Sequence, residues 1–421
     1  MKSKPLALIF STVWPEPNSS AAGVRQLQCL GWLKACGYRV ILACPSKLKE
    51  GMDFGVELLP LPLNQSWVRD ELKRLNPELI IFDRFILEEQ FGHFVYEACP
   101  KATVILETQD LHFVRRARDT VREKFLELQS LPPGFYHTDT ALRETASLMR
   151  VDRGIVVSSF EAELLEVQFS LGPEHVEWIP FGYEEPSHQA AFSRGFSERD
   201  HFVWIGNFRH GPNIDGLRWF RQAIWPLIRK RIPLAQIKVY GAYPSQEVME
   251  WNQPQSGFQV VGQARDLDQA FLSARVNLAP LRFGAGVKGK LLEGFRYGLP
   301  CVTTKVGSEG ILPQAMNIGL FPGKVANGEA SFTDACIELY ENERVWNEGR
   351  ELAASLMQSH YGSQPEAQFK KMIAKLKEKH ALGLLPHWQS RVLRHELLNS
   401  HKYFSKWIEA KENKITPPGQ K

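Results

Sequence analysis

The stretch FGAGVKGKLLEG, residues 283–294, follows an apolar run and has the spacing G-x-x-x-x-G-K. ATPases and GTPases hold phosphates with that spacing, but their next residue is a Ser or Thr that binds magnesium, and here it is Leu291. Gly284 and Gly286 let the backbone approach a ligand closely. A helix predicted to begin near Val287 presents free N–H groups and its positive dipole end at the same place. The stretch therefore predicts a turn between a strand and a helix that favours a phosphate.

Three interpretations of this turn follow from the residues: a modified triphosphatase loop, a different phosphate cradle, and a tight turn that only packs a helix onto a sheet. Leu291 argues against the first, and so does the position of the loop after a late strand, because the triphosphatase motif normally follows an early one. The apolar run that ends in Asp, LIIFD (79–83), lies in the other half of the chain. Arg282, Lys288 and Lys290 add positive charge, which favours a phosphate cradle.

Glu293 lies three residues after Lys290, close to the start of the same predicted helix. A carboxylate near the N-terminal end of a phosphate-binding helix can accept hydrogen bonds from ribose hydroxyls, as the acid of dinucleotide-binding folds does. The alternative is an exposed Glu that the helix dipole stabilises. Leu291 is expected to pack the helix onto its sheet.

The composition is that of an ordinary soluble globular protein: 421 residues, 43% hydrophobic and 23% charged, which predicts two domains with room for a third. A net charge of +4 does not argue for a general nucleic-acid binder, and we expect Arg115, Arg116 and Arg118 to form a solvated helix face. The N-terminal run LALIFSTV (6–13) predicts a first strand rather than a signal peptide, because Pro15 soon interrupts it.

The six cysteines contain no C-x-x-C and no zinc spacing, which predicts reduced, buried thiols in a cytosolic protein. No apolar run approaches the roughly 18 residues that span a bilayer.

Both halves of the chain alternate continuous apolar strands with helical stretches, which is typical of parallel sheets covered on both faces. The predicted strands are 6–13, 38–44, 78–83, 103–108, 154–159, 175–181, 201–207, 236–242, 258–262, 276–281 and 300–306. A helix is expected at 215–230, and the chain is expected to be mainly helical after about residue 326. Ser159 and Asp266 stand where they can cap helices.

This rhythm predicts an N-terminal domain at 1–183, a polar linker at 184–199, a second domain at 200–378 and a basic helical appendage at 379–421. Two doubly wound domains bind ligands at the carboxyl ends of their strands, so two facing domains would share a cleft.

Two loops of the first half follow strands and carry candidate chemistry. Ser19 to Gly23 is a run of small residues that would let a substrate or phosphate approach the backbone, or would be a mobile loop. Asp110 and His112 follow another strand, and a carboxylate and an imidazole two residues apart can orient a hydroxyl or move a proton. Their alternative is a hydrogen-bonded turn. Asp83 is a weaker candidate, with a structural bond to Arg84 or the next helix as its alternative.

The segment APLRFGAGVKGKLLEGFRYGLPCVTTKVGSEG (279–310) resembles the donor-binding segment of GT-B glycosyltransferases of glycosyltransferase family 4, also called glycosyl transferases group 1. The resemblance extends over roughly residues 6 to 375. Further segments that carry it are GNFRHGPNIDGLRWF (206–220), VVSSFEAELL (156–165) and WIPFGYE (178–184). IIFDRFILEEQFG (80–92) and ILETQDLHFVRRAR (105–118) resemble acceptor-domain segments of a bacterial subgroup.

The resemblance implies an α/β fold of the GT-B type, with two doubly wound Rossmann-like domains facing a cleft, to which this chain adds a helical C-terminal extension. It implies that the glycine-rich loop holds the diphosphate of a sugar nucleotide and that Glu293 binds the ribose. The chain departs from the family at Ala285, where a second Glu often stands beside the donor sugar. It also departs at Asn207 and Pro212, where the family commonly has an Arg and a Lys.

The predicted site residues follow from these arguments. The predicted catalytic residues are Asp110, His112, Arg282 and Lys290. The predicted donor-binding residues are Gly23, Asn207, Arg209, Gly284, Ala285, Gly286, Val287, Lys288 and Glu293. No metal ligand is predicted, because the implied fold does not require a metal and no Asp-x-Asp motif in the sequence forces one.

The implied activity is the transfer of a sugar from a nucleoside diphosphate sugar, UDP- or GDP-linked, to a hydroxyl acceptor on a glycan, lipid or protein. Such enzymes generally retain the anomeric configuration, and the leaving phosphate helps to deprotonate the acceptor. We expect a cytoplasmic protein of glycan, polysaccharide or glycoconjugate synthesis that needs no cofactor and binds no nucleic acid. The basic C-terminal helices are a candidate for peripheral membrane or protein docking.

Two alternatives remain on the sequence: a catalytically degenerate GT-B protein that acts as a binding or assembly subunit, and a sugar-nucleotide epimerase. A dehydrogenase is disfavoured because no G-x-G-x-x-G follows the first strand.

Overall fold

The first half of the chain forms a fully parallel sheet in the order β3-β2-β1-β4-β5-β6-β7 in the computed structural model, which describes residues 4–128, 131–183, 194–264, 266–313, 318–396 and 398–415. The order reverses between β1 and β4, which makes a topological switch point there. Its strands are β1 (Leu6–Phe10), β2 (Arg39–Cys44), β3 (Glu57–Pro60), β4 (Leu79–Asp83), β5 (Thr103–Glu107), β6 (Arg153–Val156) and β7 (Val176–Trp178).

The second half forms another fully parallel sheet, in the order β10-β9-β8-β11-β12-β13. Its strand order reverses between β8 and β11, which gives a second switch point. Its strands are β8 (His201–Ile205), β9 (Ile237–Tyr240), β10 (Phe258–Gly262), β11 (Ala274–Ala279), β12 (Cys301–Thr303) and β13 (Gly323–Val325).

Helices connect these strands. In the first half they are α1 (Ala21–Ala35), α2 (Trp67–Leu75), α3 (Phe85–Ala98), α4 (His112–Asp119), α5 (Asp139–Arg150) and α6 (Ser159–Phe169). In the second half they are α7 (Gly211–Trp219), α8 (Trp225–Arg231), α9 (Gln246–Glu250), α10 (Leu267–Ser273), α11 (Gly289–Arg296), α12 (Lys305–Ser308), α13 (Glu329–Glu341) and α14 (Glu343–Leu356). The chain ends in α15 (Gln364–Ala381), α16 (Trp388–Glu396) and α17 (Leu398–Ile415).

Most predicted strands are confirmed in place, and the differences have local causes. The cap of α6 is Ser158, whose hydroxyl accepts from Glu161 N, so the prediction of Ser159 was wrong by one residue. The helix predicted from residue 215 begins at Gly211, because proline is favourable in a first turn and Pro212 stands there. Asp266 caps α10 as predicted.

The cores explain which elements stay together. Each sheet is covered by apolar side chains on both faces, and the described cysteines are free thiols, as predicted. The end of the chain returns to the first domain: Phe369 and Ile373 of α15 pack with Ile9 and Leu33.

Residues 184–193 of the predicted linker lie outside the described residues. The predicted boundary at residue 378 falls inside α15, so the domain limits stay predictions.

Helices α16 and α17 then pack along α5 and α3 on the outside of the first domain. In the described part of the chain, no helix combines the length and the apolar character that crossing a membrane requires.

Candidate functional site

The glycine-rich loop of the second domain lies directly against the first domain. Gly286 has a φ of 64°, and a Cβ there would lie 2.9 Å from the Cβ of Asp110. A Cβ at Gly289 would lie 2.7 Å from the Cβ of Ala21. Because Asp110 and Ala21 belong to the two first-domain segments that the sequence singled out, the structure brings these segments and the glycine-rich loop together.

The helix after this loop, α11, begins at Gly289, two residues later than predicted. Leu291 is fully buried and packs with Ala279 of β11, which confirms that it joins the helix to its sheet. The loop therefore connects the carboxyl end of β11, one side of the switch point, to the N-terminus of a helix. That is the position where doubly wound sheets bind phosphates.

A single carboxylate joins the two domains at this point. Oε1 of Glu161 accepts hydrogen bonds from the backbone N–H of Leu111, 3.0 Å away, and from that of Gly286, 2.8 Å away. Oε2 of the same carboxylate is buried without a hydrogen-bond partner. Burial, followed by the nearby charge of Asp110, raises the pKa of the Glu161 carboxyl above its ordinary value.

A buried guanidinium makes a second connection. Arg118 donates to the carbonyl oxygen of Gly284 at 2.9 Å, to Glu309 at 2.6 and 3.1 Å, and to the Tyr136 hydroxyl at 3.0 Å. Its side chain is 1% exposed. The prediction that Arg118 belongs to a solvated helix face was therefore wrong. The second domain covers that side of α4 and supplies the acceptors that allow the charge to be buried.

Asp110 lies against the glycine-rich loop, and His112 lies beside Asp110. The Asp110 carboxylate pairs with Arg115 and is 3.6 Å from Nε2 of His112. Burial opposes ionisation of Asp110, but the charges of Arg115, His112 and Arg84 hold the pKa of its carboxyl below the ordinary value. Burial lowers the pKa of His112 to about 4, so its imidazole is neutral at pH 7 and can accept a hydrogen bond without becoming charged.

Asp83, the weaker candidate, ends β4 and accepts from Gln26 at 2.7 Å and from Arg84 at 3.4 Å. Its expected bond to Arg84 is thus present.

The predicted cations of the loop have different surroundings. Arg282 forms a bidentate pair with Asp215 at 2.9 and 2.5 Å. Lys288 turns inward, and its Nζ donates to the carbonyl oxygens of Ala285 and Gly286 at 3.1 and 2.6 Å. Burial lowers the pKa of Lys288. Both charges are therefore engaged within the protein.

Lys290 is the loop cation with the fewest protein contacts. Its Nζ donates to Oδ1 of Asn213 at 2.7 Å and lies 4.8 Å from the ring centre of Trp204. Burial, followed by repulsion from Lys288, lowers the pKa of Lys290 to about 7. An anion that binds beside this ammonium raises its pKa and so favours the charged form.

The remaining second-domain candidates lie around the carboxyl end of β8. Oδ1 of Asn207 accepts from the backbone N–H of Arg209 at 2.8 Å. Arg209 is exposed, and its guanidinium lies 3.8 Å from the ring centre of Tyr243. The Tyr243 hydroxyl donates to Glu16 of the first domain at 3.1 and 3.2 Å. Arg209 therefore lies where the two domains meet, outside the buried cluster.

Glu293 is partly exposed and pairs with Arg296 at 2.9 Å. Burial raises the pKa of the Glu293 carboxyl, and Arg296 opposes that effect.

Three predicted binding residues have packing contacts. Val287 is buried in the cluster that contains Leu291, and Ala285 packs against the core of the first domain. A Cβ at Gly23 would lie 2.5 Å from the backbone of Glu16, so glycine is needed there to let the preceding loop fold onto α1.

Sequence reasoning missed Glu161, Arg118, Glu309, Asn213 and Asp215 as parts of this site. All five stand inside segments that carry the family resemblance, but nothing in their spacing indicates contacts between domains. Among the described residues, no group of His, Cys, Asp and Glu side chains is arranged to hold a metal ion.

Residues 199–342 match the family model described as Glycosyl transferases group 1. No curated protein sequence matches the chain significantly. Similar solved structures include a sucrose-phosphate synthase from Thermosynechococcus elongatus, with 15% identity, a TM-score of 0.60, and coverage of 89% of this chain and 100% of that one. HepE from Anabaena in complex with UDP has 12% identity, a TM-score of 0.61, and coverage of 88% and 100%. WaaG, a glycosyltransferase involved in lipopolysaccharide biosynthesis, has 14% identity, a TM-score of 0.57, and coverage of 86% and 98%.

At these identities the structural likeness establishes the fold, and the fold is GT-B: two Rossmann-like domains with a helical C-terminal region. The matched segment covers β8 to α13, which includes the glycine-rich loop and Glu293. Over residues 199–342, the second domain is of the Glycosyl transferases group 1 type.

Proposed function

We propose that this chain transfers a sugar from a UDP- or GDP-linked donor to a hydroxyl acceptor, with retention of configuration and as a family 4 enzyme. The observation that carries the proposal is the position of the 284–290 loop. It leaves a strand at the second switch point, starts a helix that bears Glu293, and lies against Asp110 of the first domain, which His112 accompanies. Donor groups and acceptor groups thus meet at one edge of both sheets.

The chemistry that the proposal requires is mainly electrostatic. The N–H groups at the start of α11 and the ammonium of Lys290 would stabilise the departing diphosphate. Glu293 would accept hydrogen bonds from the ribose, with Arg296 holding its carboxylate in place. Asp110 and the neutral His112 would orient the acceptor hydroxyl, and the leaving phosphate would take its proton. No step requires a covalent nucleophile or a metal ion.

Three observations support parts of this assignment. HepE, one of the similar GT-B structures, was solved with UDP and with UDP-glucose. This favours a UDP-linked donor over a GDP-linked one. Ala285 has only a methyl side chain, which cannot hydrogen-bond the donor sugar, and it packs against the first-domain core. We therefore assign the sugar contacts to other groups.

The free thiols support action in a reducing compartment, the cytoplasm, in glycan or glycoconjugate synthesis. Docking of the C-terminal helices to a membrane or a protein is part of the proposal.

The test is calorimetry with UDP-, GDP- and ADP-sugars, with and without a chelator. We expect one donor to bind without added metal, and Glu293→Ala to weaken it by about 1–3 kcal/mol, as loss of a charge-assisted hydrogen bond does. Glu343→Ala, which removes an exposed acid from the first turn of α14, is the matched control. Unchanged affinity in Glu293→Ala would reject the ribose role, and no binding of any donor would reject the activity.

A binding or assembly subunit is the second candidate, because Arg282 and Lys288 are both engaged within the protein. Turnover of the bound donor by the isolated protein would reject it. An epimerase would release an altered sugar nucleotide in the absence of acceptor, so product analysis without acceptor separates it from a transferase.

A further inference from the structure

Exposed apolar side chains concentrate at the end of the chain. Between the last turn of α15 and the middle of α17, large apolar side chains point to solvent at Leu382, Leu384, Trp388, Val392, Tyr403, Phe404 and Trp407. Single exposed apolar residues are normal on a protein surface, but a group of neighbours marks an interaction site.

The aromatic residues of α17 share one face of the helix. Tyr403, Phe404 and Trp407 are 67%, 59% and 57% exposed, and their spacing sets them on adjacent positions around the helix. The rings of Phe404 and Trp407 stack at 5.8 Å. Ser405, on the opposite side, is buried where α17 packs along α3. The helix is thus fixed to the first domain by one side and presents aromatic rings on the other.

Charges on α17 are divided between the same two sides. Nζ of Lys406 lies 5.9 Å from the ring of Tyr403, and Nζ of Lys411 lies 5.1 Å from the ring of Trp407. The carboxylates of Glu409 and Glu412 point toward the first domain instead. The Glu409 carboxylate accepts from the Ser66 hydroxyl of the first domain at 2.8 Å, and Glu412 is 3.5 Å from the amide of Gln65. The outward side therefore combines aromatic rings with ammonium groups and leaves the carboxylates on the protein side.

Helix α16 carries the same combination on a smaller scale. Trp388 is 72% exposed, and the guanidinium of Arg391 lies 5.4 Å from its ring. Val392, beside them in sequence, is also exposed.

This chemistry fits a lipid surface better than a protein partner. Aromatic rings bearing a polar group settle at the boundary between headgroups and acyl chains, and long lysine side chains reach from there to phosphates. Anionic lipids attract basic residues near the surface, whereas the centres of protein interfaces are depleted of lysine. The helix that carries this face lies along the domain and does not span a bilayer.

We propose that the outward face of α17, formed by Tyr403, Phe404, Lys406, Trp407 and Lys411, docks the protein on an anionic lipid bilayer. The rings enter the headgroup layer, and the two lysines pair with lipid phosphates. This rests on the docking role of the C-terminal helices proposed above and specifies an anionic lipid bilayer as their partner. It does not depend on which donor the site binds.

The experiment is flotation of the full chain with vesicles of phosphatidylcholine alone and with vesicles that contain phosphatidylglycerol. We expect binding to the anionic vesicles only, weakened by salt. Phe404→Ala with Trp407→Ala should lower the partition coefficient at least ~10-fold, since two buried rings are lost. Lys406→Ala with Lys411→Ala should lower it about 30-fold. The controls are Leu142→Ala with Leu234→Ala, both exposed apolar residues elsewhere, and Lys371→Ala with Lys375→Ala on α15; both should bind as the parent does.

Three outcomes overturn the proposal: no binding to anionic vesicles, equal loss in the control variants, or a dimer in light scattering that becomes a monomer in the Phe404/Trp407 variant. The last result would assign the face to a second copy of the chain. Donor calorimetry on the same variants should match the parent protein. A failure of lipid binding is therefore distinguishable from a failure of the proposed transferase activity.

Discussion

Removal of the Glu161 carboxylate is the sharpest test of how the two domains are held together. In Glu161→Ala, the backbone N–H groups of Leu111 and Gly286 both lose their acceptor in a buried setting. Each buried donor left without a partner costs about 1–3 kcal/mol. The bond to Leu111 lies within the first domain, and the bond to Gly286 crosses between domains. Contact between the domains should therefore weaken by about 1–3 kcal/mol, which is roughly 5-fold to 150-fold.

Glu161→Gln separates the hydrogen bonds from the charge. The amide keeps a carbonyl oxygen that can accept from both N–H groups, and it removes a buried negative charge. Because burial raises the pKa of Glu161, the folded protein holds a proton that the unfolded chain releases, so the unfolding free energy falls as pH rises through the folded-state pKa. Glu161→Gln should abolish this dependence and be at least as stable as the parent above neutral pH.

The assay is hydrogen exchange measured by mass spectrometry on peptides that cover residues 109–113 and 283–290, with thermal unfolding across pH as a second readout. Glu161→Ala should accelerate exchange in both peptides, and Glu161→Gln should leave it near the parent rate. Glu163→Ala, an exposed acid on the same helix, is the control. Equal exchange in Glu161→Ala and Glu163→Ala would show that the carboxylate does not hold the loops together.

Three further predictions concern the same region. Arg118→Ala should lower the free energy of unfolding by about 3–5 kcal/mol in urea denaturation, because it leaves the Glu309 carboxylate without its buried partner; a much smaller loss would count against a structural role. Since the pKa of Lys290 is about 7, affinity for a nucleoside diphosphate sugar, whose phosphates do not titrate in this range, should fall as pH rises from 6 to 8 and should be flat in Lys290→Arg, measured by calorimetry; parallel profiles would contradict this. Gly286→Ala should destabilise more than Gly37→Ala in thermal unfolding, because both have a positive φ but only Gly286 meets another domain.

Local chemistry made much of the fold predictable. The buried strands are unbroken runs of apolar and β-branched residues, so β1, β4 and β5 could be located from their composition alone. The edge strands β3 and β13 were missed. Glu57–Pro60 and Gly323–Val325 are short and only partly buried, and they lack the continuous apolar pattern that marks a central strand.

The candidate site was also predictable only where it depends on a local sequence pattern. A glycine-rich turn followed by a helix is a local pattern, and the structure confirms the turn and the helix that follows it. The bonds from Glu161 to Gly286 and from Arg118 to Glu309 join residues 125 and 191 positions apart. Such pairs depend on how two domains meet. No periodicity in the chain encodes that, so a buried Arg118 was mistaken for a surface residue.

These contacts also change what the spacing of the glycine-rich loop means. From the sequence alone, the glycines of this loop are explained by the close approach of a phosphate. In the structure, Gly286 has no room for a Cβ because Asp110 lies there, and Gly289 has none because Ala21 does. The N–H of Gly286 is already bonded to Glu161. Gly286 and Gly289 are therefore both required by the contact between the domains, whatever the ligand. If the loop binds the donor as we propose, donor binding and domain contact use the same short segment. A change in one should therefore alter the other.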